Sequence, residues 1–151
     1  MPAGHLTECL IAHLVAGFAL GSALKVSLWI LVPAALGLHV LLDLVPHWDY
    51  GFTLRRPWWA YGDFALSAAT FVVCYSYLGF TERALLTGLV SAAPDLDILL
   101  SVLPVRWRLK WFPSHWASFP HGRAGQALGI LTQVGAVAVC VAILALTHPS
   151  S

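Results

Sequence analysis

Five apolar stretches, each near the length that crosses a bilayer, narrow what this chain can fold into more than any other feature. A membrane-spanning helix takes about 20 mostly apolar residues. The stretches run over about 6–24, 27–45, 62–80, 83–103 and 124–147. The expected fold is all-α: one integral-membrane domain over 1–151, a polytopic bundle of about five transmembrane helices. Composition agrees, with 59% hydrophobic and only 10% charged residues, where soluble domains carry about 25% charged. A net charge of +1 argues against a nucleic-acid surface. Cys9, Cys74 and Cys140 lie far apart in apolar runs with no CxxC pair, so they read as packing residues rather than a disulfide frame or zinc knot. The opening "MPAGHLTECLIAHLVAGFALG" lacks a positive n-region and carries His5, Glu8 and His13, which reads as a retained first helix rather than a signal peptide.

The connections set an expected orientation. Arg55 and Arg56 lie between the second and third segments, and Arg106, Arg108, Lys110 and Arg123 between the fourth and fifth; the other side has only Lys25 and Arg83. The positive-inside rule assigns the richer side, and the N-terminus with it, to the cytoplasm. Trp48, Trp58, Trp59, Trp107, Trp111 and Trp116 fall on that side, as an interfacial belt would. "RWRLKWF" alternates basic and aromatic residues and suits either a headgroup-bound segment or a plain anchoring loop.

Ionisable residues interrupt the apolar runs where charge is costly. The stretch "GLHVLLDLVPHWDY" holds His39, Asp43, His47 and Asp49. At about 1.5 Å per residue, His13, His39, Asp43, Asp95 and Asp97 all fall in one layer beneath the cytoplasmic surface. Asp63 opens the third segment on the same side, and His47, Asp49, His115 and His121 lie in loops above. An aspartate at depth costs at least about 2.5 kcal/mol, so Asp95 and Asp97 together need compensation: a cation, proton sharing, or pairing with Arg123. His39 and Asp43, at i and i+4, share a helix face. Pro46 and Pro94 each withdraw a backbone donor and free a carbonyl one turn back. "VPHWD" and "APDLD" echo one another, which suggests two related hairpins plus one helix.

These residues form a candidate metal set: His13, His39, Asp43, His47, Asp49, Asp95 and Asp97. A single histidine in a membrane helix is also explained by a hydrogen bond to its neighbour. Imidazole and carboxylate without thiolate suit zinc, manganese or iron, and seven candidates exceed one tetrahedral zinc. The expectation is two divalent ions, zinc or manganese, bridged by Asp43 or Asp95. Such a pair activates water for phosphoester hydrolysis. His115 and His121 are candidate general acids or further ligands, and Arg123 a phosphate clamp. Arg55 and Arg56 fit that clamp or membrane orientation. His5 and His148 read as solvated ends, and Glu8 fits either the site or the headgroups.

"HVLLDLVPHWD", "SAAPDLDILL" and "SHWASFPHGRAG" together resemble the small bacterial and archaeal proteins grouped as predicted membrane-bound metal-dependent hydrolases. The resemblance covers about residues 5–125. It implies a membrane helical fold, a metal cofactor, and ligand positions at His13, His39, Asp43, Asp95, Asp97, His115 and His121. The last loop departs from that pattern, reading "HWASFPHGR" where the family has a form closer to His-Arg-Gly followed by Thr-His-Ser. The expected function is a membrane-embedded hydrolase of a phosphoester at the cytoplasmic face. Its partners would be the bilayer and a phosphoester, such as a lipid whose headgroup reaches the tryptophans. The rivals are a divalent-cation or proton transporter, a metal-stabilised scaffold without catalysis, and a haem protein using His13 and His39.

Overall fold

The computed structural model describes residues 10–48, 58–76, 78–102, 110–116 and 118–147, and over these it is all-helical. The helices are α1 (Leu10–Ala23), α2 (Leu28–Leu44), α3 (Trp58–Ser76), α4 (Glu82–Ala92), α5 (Leu96–Val102) and α6 (Gln126–Thr147). Two short 3-10 turns, Ala93–Asp95 and Pro113–His115, join α4 to α5 and precede α6. Among the described residues there is no strand; an isolated parallel bridge pairs His47 with Arg123.

Local chemistry explains the ends. α2 leaves the helical region at Val45 (φ −68, ψ 133), the residue before Pro46, because a proline disfavours helical geometry in its predecessor. Gly79 turns the chain between α3 and α4 with φ 61, a region costly for residues with a Cβ. α4 then starts on Thr81, whose hydroxyl accepts from Ala84 N at 3.2 Å, with Glu82 favourably placed in the first turn.

One helix among the described residues, α6, is long and apolar enough to cross a membrane: 22 residues, or about 33 Å at 1.5 Å per residue. The other expected crossings are realised differently. Over the described residues α1 and α2 are apolar but shorter, at 14 and 17 residues, and positions 6–9 of the first expected crossing lie outside them. α3 starts four residues before the expected 62. The segment expected over 83–103 is bent at Pro94 into α4, a 3-10 turn and α5. The two echoing motifs also part company: Val45 is extended, whereas residues 93–95 stay helical in the tighter register.

α1 is the centre of the bundle and packs most extensively on α4, then on α6, α3 and α2. Small residues make the α1–α4 approach possible. A Cβ on Gly17 would stand 2.6 Å from Gly88 Cα and from the Thr87 carbonyl oxygen. A Cβ on Gly88 would overlap the Phe18 ring, and Gly21 faces Ala84 and Thr87 as closely. Spaced small residues bring helix backbones together in this way when solvent gives no hydrophobic drive. Around the contact, Leu14, Val15, Phe18 and Ala19 pack on Cys74, Leu85, Ala92 and Leu144. The outer faces are apolar as well: Trp29 is 92%, Leu146 86% and Leu131 67% exposed.

Candidate metal centre

Each element delivers its polar residues to one end of the α1–α4 contact. α1 carries His13 one turn from its start, and that start is fixed from outside the helix. Asp63 of α3 accepts from Leu10 N (2.6 Å) and Ile11 N (3.1 Å). It thereby satisfies two of the backbone donors that a helix leaves unpaired at its N-terminus. α2 presents His39 and Asp43 on one face, both fully buried. The bend at Pro94 supplies Asp95 and Asp97, and the second 3-10 turn supplies His115.

The donors meet at short range. His13 Nε2 lies 3.3 Å from Asp43 Oδ1, and His39 Nε2 lies 3.4 Å from Asp43 Oδ2. His39 Nε2 and His115 Nε2 are 3.3 Å apart, and His115 Nε2 is 3.7 Å from Asp95 Oδ1. The His13 and His39 rings lie against each other with centroids 4.0 Å apart. His13, His39 and Asp95 form one buried triad able to hold a metal ion, and His39, Asp43 and His115 another.

Two observations fit these residues to a cation. The first is spacing: donors about 2.1 Å from one tetrahedral ion stand about 3.4 Å from each other, and the contacts at 3.3 and 3.4 Å match that edge. The second is the orientation of the rings. His39 Nδ1 is 2.7 Å from Ser91 O; a carbonyl only accepts, so Nδ1 carries the proton, and in the neutral ring Nε2 is the lone-pair atom. His115 Nδ1 is 2.6 Å from Asp97 Oδ1, which turns its Nε2 inward in the same way. A carbonyl or carboxylate behind each imidazole is the usual support of a metal-binding histidine. Pro94 contributes here: without an N–H it cannot return a three-residue bond to Ser91 O, the carbonyl that accepts from His39.

Asp97 places Oδ1 on His115 Nδ1 and accepts at Oδ2 from Phe112 N at 3.1 Å. It thereby orients His115 and ties residues 112–115 to α5. His115, expected in a loop above the helical layer, is completely buried among the donors, because the Pro113–His115 turn folds inward onto Asp97.

His47 is buried (5% exposed) and sits on a strap, residues 45–48, beside this group. Its Nδ1 bonds Val45 O at 2.8 Å, and its ring lies 5.7 Å from that of His121. Gly122 N donates to Asp43 O, and His47 N to Gly122 O, both at 2.9 Å. His121 is therefore half-buried at the edge of the site, and Arg123 is exposed beside it. Asp49, with His5, Glu8, Arg55 and Arg56, lies outside the described residues. Sequence reasoning missed Asp63 as a cap, the Ser91 carbonyl and Phe112 N as supports, and Gln133 near His13. The positions of Pro94 and of Asp63 at the head of its segment were the hints to them.

Over the described residues, fold and site together define an all-helical protein with one helix long and apolar enough to cross a membrane and buried His/Asp groups that could hold a metal ion. No protein-family model, curated protein or solved structure matches the chain.

Proposed function

We propose that this chain is an integral membrane protein of about five spans, that its His/Asp centre holds a divalent metal, and that it hydrolyses a phosphoester at the cytoplasmic face. The observation that carries the reading is the set of buried imidazole and carboxylate donors at coordination-edge distances, with two of the imidazoles backed by oriented hydrogen bonds. Three buried carboxylates, Asp43, Asp95 and Asp97, would otherwise be held in a low-dielectric interior facing imidazoles. The apolar outer faces and the basic loops support the membrane assignment.

A bound zinc or manganese ion would supply Lewis-acid polarisation and a more acidic water. The protein's own residues do the rest. His13, His39, Asp43, Asp95 and His115 bind; Asp97 and Ser91 O orient. With His115 committed to the donor set, His121 is the imidazole left to protonate a leaving group, and exposed Arg123 the guanidinium next to it for a phosphate. The resemblance to membrane-bound metal-dependent hydrolases favours hydrolysis over the other uses of a metal.

The test uses the purified chain in detergent, stripped by a chelator and reloaded with Zn²⁺ or Mn²⁺. It is screened against bis(p-nitrophenyl) phosphate and phosphatidic acid. Metal-dependent release of product is expected, lost in His39→Ala and reduced in His121→Ala with metal retained. Cation uptake into vesicles with no hydrolysis of any substrate would turn the assignment to transport.

A further inference from the structure

Three imidazoles meet at the centre, and two of them have a fixed partner behind the ring: Ser91 O at His39 Nδ1 and Asp97 Oδ1 at His115 Nδ1. The third is His13. Its Nε2 lies 3.3 Å from Asp43 Oδ1, and its Nδ1 is buried. In a neutral ring that offers Nε2 to a metal, Nδ1 carries the proton and calls for an acceptor.

His13 also borders a cavity of about 20 Å³ beside the strap. A buried water takes roughly 10–15 Å³ and about two to four polar partners, so the space holds one water. His47, Thr132 and Gln133 bring polar atoms to its wall, and the rest of the wall is aliphatic. The Thr132 hydroxyl is already engaged, donating to Pro46 O. His47 Nδ1 donates to Val45 O at 2.8 Å, which makes Nε2 the lone-pair atom of the neutral ring. Gln133 lies one turn beyond Gly129, where α6 meets the backbone of His47 and Trp48 with no space for a Cβ; the two positions share the face turned to the strap. Gln133 Nε2 is buried and makes no hydrogen bond among the described residues. Beyond it α6 runs apolar as far as Leu146, and a buried amide donor left unmatched there is costly.

We propose that Gln133 is a positioning residue for His13, acting through one water held in this cavity. The water accepts from His13 Nδ1 and from Gln133 Nε2 and donates to His47 Nε2, so each group serves in the role its chemistry leaves open. His13 is thereby aimed through a water, as His39 and His115 are aimed directly. This rests on the metal-centre reading above; it adds the support behind the third imidazole and gives α6 a part in the site. The two can fail separately.

The experiment uses the full chain in detergent, with isotope-labelled histidine, loaded with Zn²⁺ and followed by nuclear magnetic resonance. The parent is expected to show a protonated Nδ1 on His13, assigned by its loss in His13→Gln, with a nuclear Overhauser contact to a long-lived water. Gln133→Leu is expected to bind Zn²⁺ about tenfold more weakly in competition with a chelator and to lose the water contact. The melting temperature of the metal-free chain should not fall in that variant. Gln133→Asn, which keeps the amide, should recover part of the affinity. Zn²⁺ affinity equal in the parent and Gln133→Leu would overturn the proposal while leaving the metal centre standing. So would a Zn²⁺-loaded parent whose His13 Nδ1 is unprotonated or has no contact with water, a result that depends on no variant folding. A parent that takes no Zn²⁺ would overturn the metal-centre reading and this proposal together.

Discussion

At the scale of single residues, the proposed metal centre separates donors that meet from groups hydrogen-bonded behind them. Asp97 is the clearest of the second kind, since each of its oxygens already has a partner, His115 Nδ1 and Phe112 N. Removing such a support typically costs 10–100-fold in metal affinity. Asp97→Ala is therefore expected to weaken Zn²⁺ by about that factor in competition with a chromophoric chelator, with Co²⁺ absorption bands shifted as His115 loses its orientation. Asp97→Asn, whose amide oxygen can still accept from Nδ1, should recover part of the loss. His39→Ala, which removes a donor outright, should weaken binding more than Asp97→Ala does. Equal affinities in Asp97→Ala and the parent would show that the carboxylate aims nothing. The sequence made Asp95 and Asp97 look alike, two acids spaced by Leu96. What distinguishes them is the inward fold of residues 112–115, a loop conformation set by contacts 15 and 18 residues away that no local pattern records.

At the scale of elements, the α1–α4 contact holds the site's geometry. Gly17 and Gly88 meet with no room for a methyl group, and Phe18 beside them is fully buried and cannot swing away. Gly88→Ala is expected to destabilise by about 1–3 kcal/mol, the cost of overpacking a tight core, read as a lower denaturation midpoint in detergent. Gly37→Ala, at a glycine with open space around it, should not lower it. Asp63→Ala removes the cap on α1 and should cost about 0.5–2 kcal/mol; since α1 carries His13, it should also loosen metal binding. An unchanged midpoint in both Gly88→Ala and Asp63→Ala would contradict this packing. Most helix positions were legible because long apolar runs leave few other folds. The shared face of His39 and Asp43 was legible from their spacing alone. The tertiary cap was not, since Asp63 opens its own apolar run and nothing in that run names a neighbour's backbone as its partner. Pro46 and Pro94 looked equivalent, yet the residue before the first, Val45, is extended and the residue before the second, Ala93, stays helical.

At the scale of the whole molecule, the buried histidines and aspartates of the described residues are gathered at one end of the α1–α4 contact, while apolar side chains are exposed on the helix faces. Layered depth along antiparallel segments made that gathering predictable without coordinates. The bend of the fourth segment at Pro94 was less so, since hydropathy marks where a chain is apolar and not where its helix turns. The membrane reading predicts that the protein stays with the membrane through carbonate extraction. It also predicts that cysteines introduced at Arg123 and Thr147 label from opposite sides. Release into the supernatant or labelling from one side would reject it. A cation that binds only the folded state stabilises it, by about 4.1 kcal/mol at a thousandfold excess over its dissociation constant, so chelation should lower the melting temperature and Zn²⁺ should restore it. The central claim is that His13, His39, Asp43, Asp95 and His115 converge because they share a metal. X-ray absorption at the edge of the bound metal tests that claim most directly. The account predicts a nitrogen and oxygen shell at about 2.0–2.2 Å, with outer-shell scattering from at least two imidazoles that disappears in His39→Ala. A metal shell without imidazole scattering, or one identical in parent and variant, would contradict it.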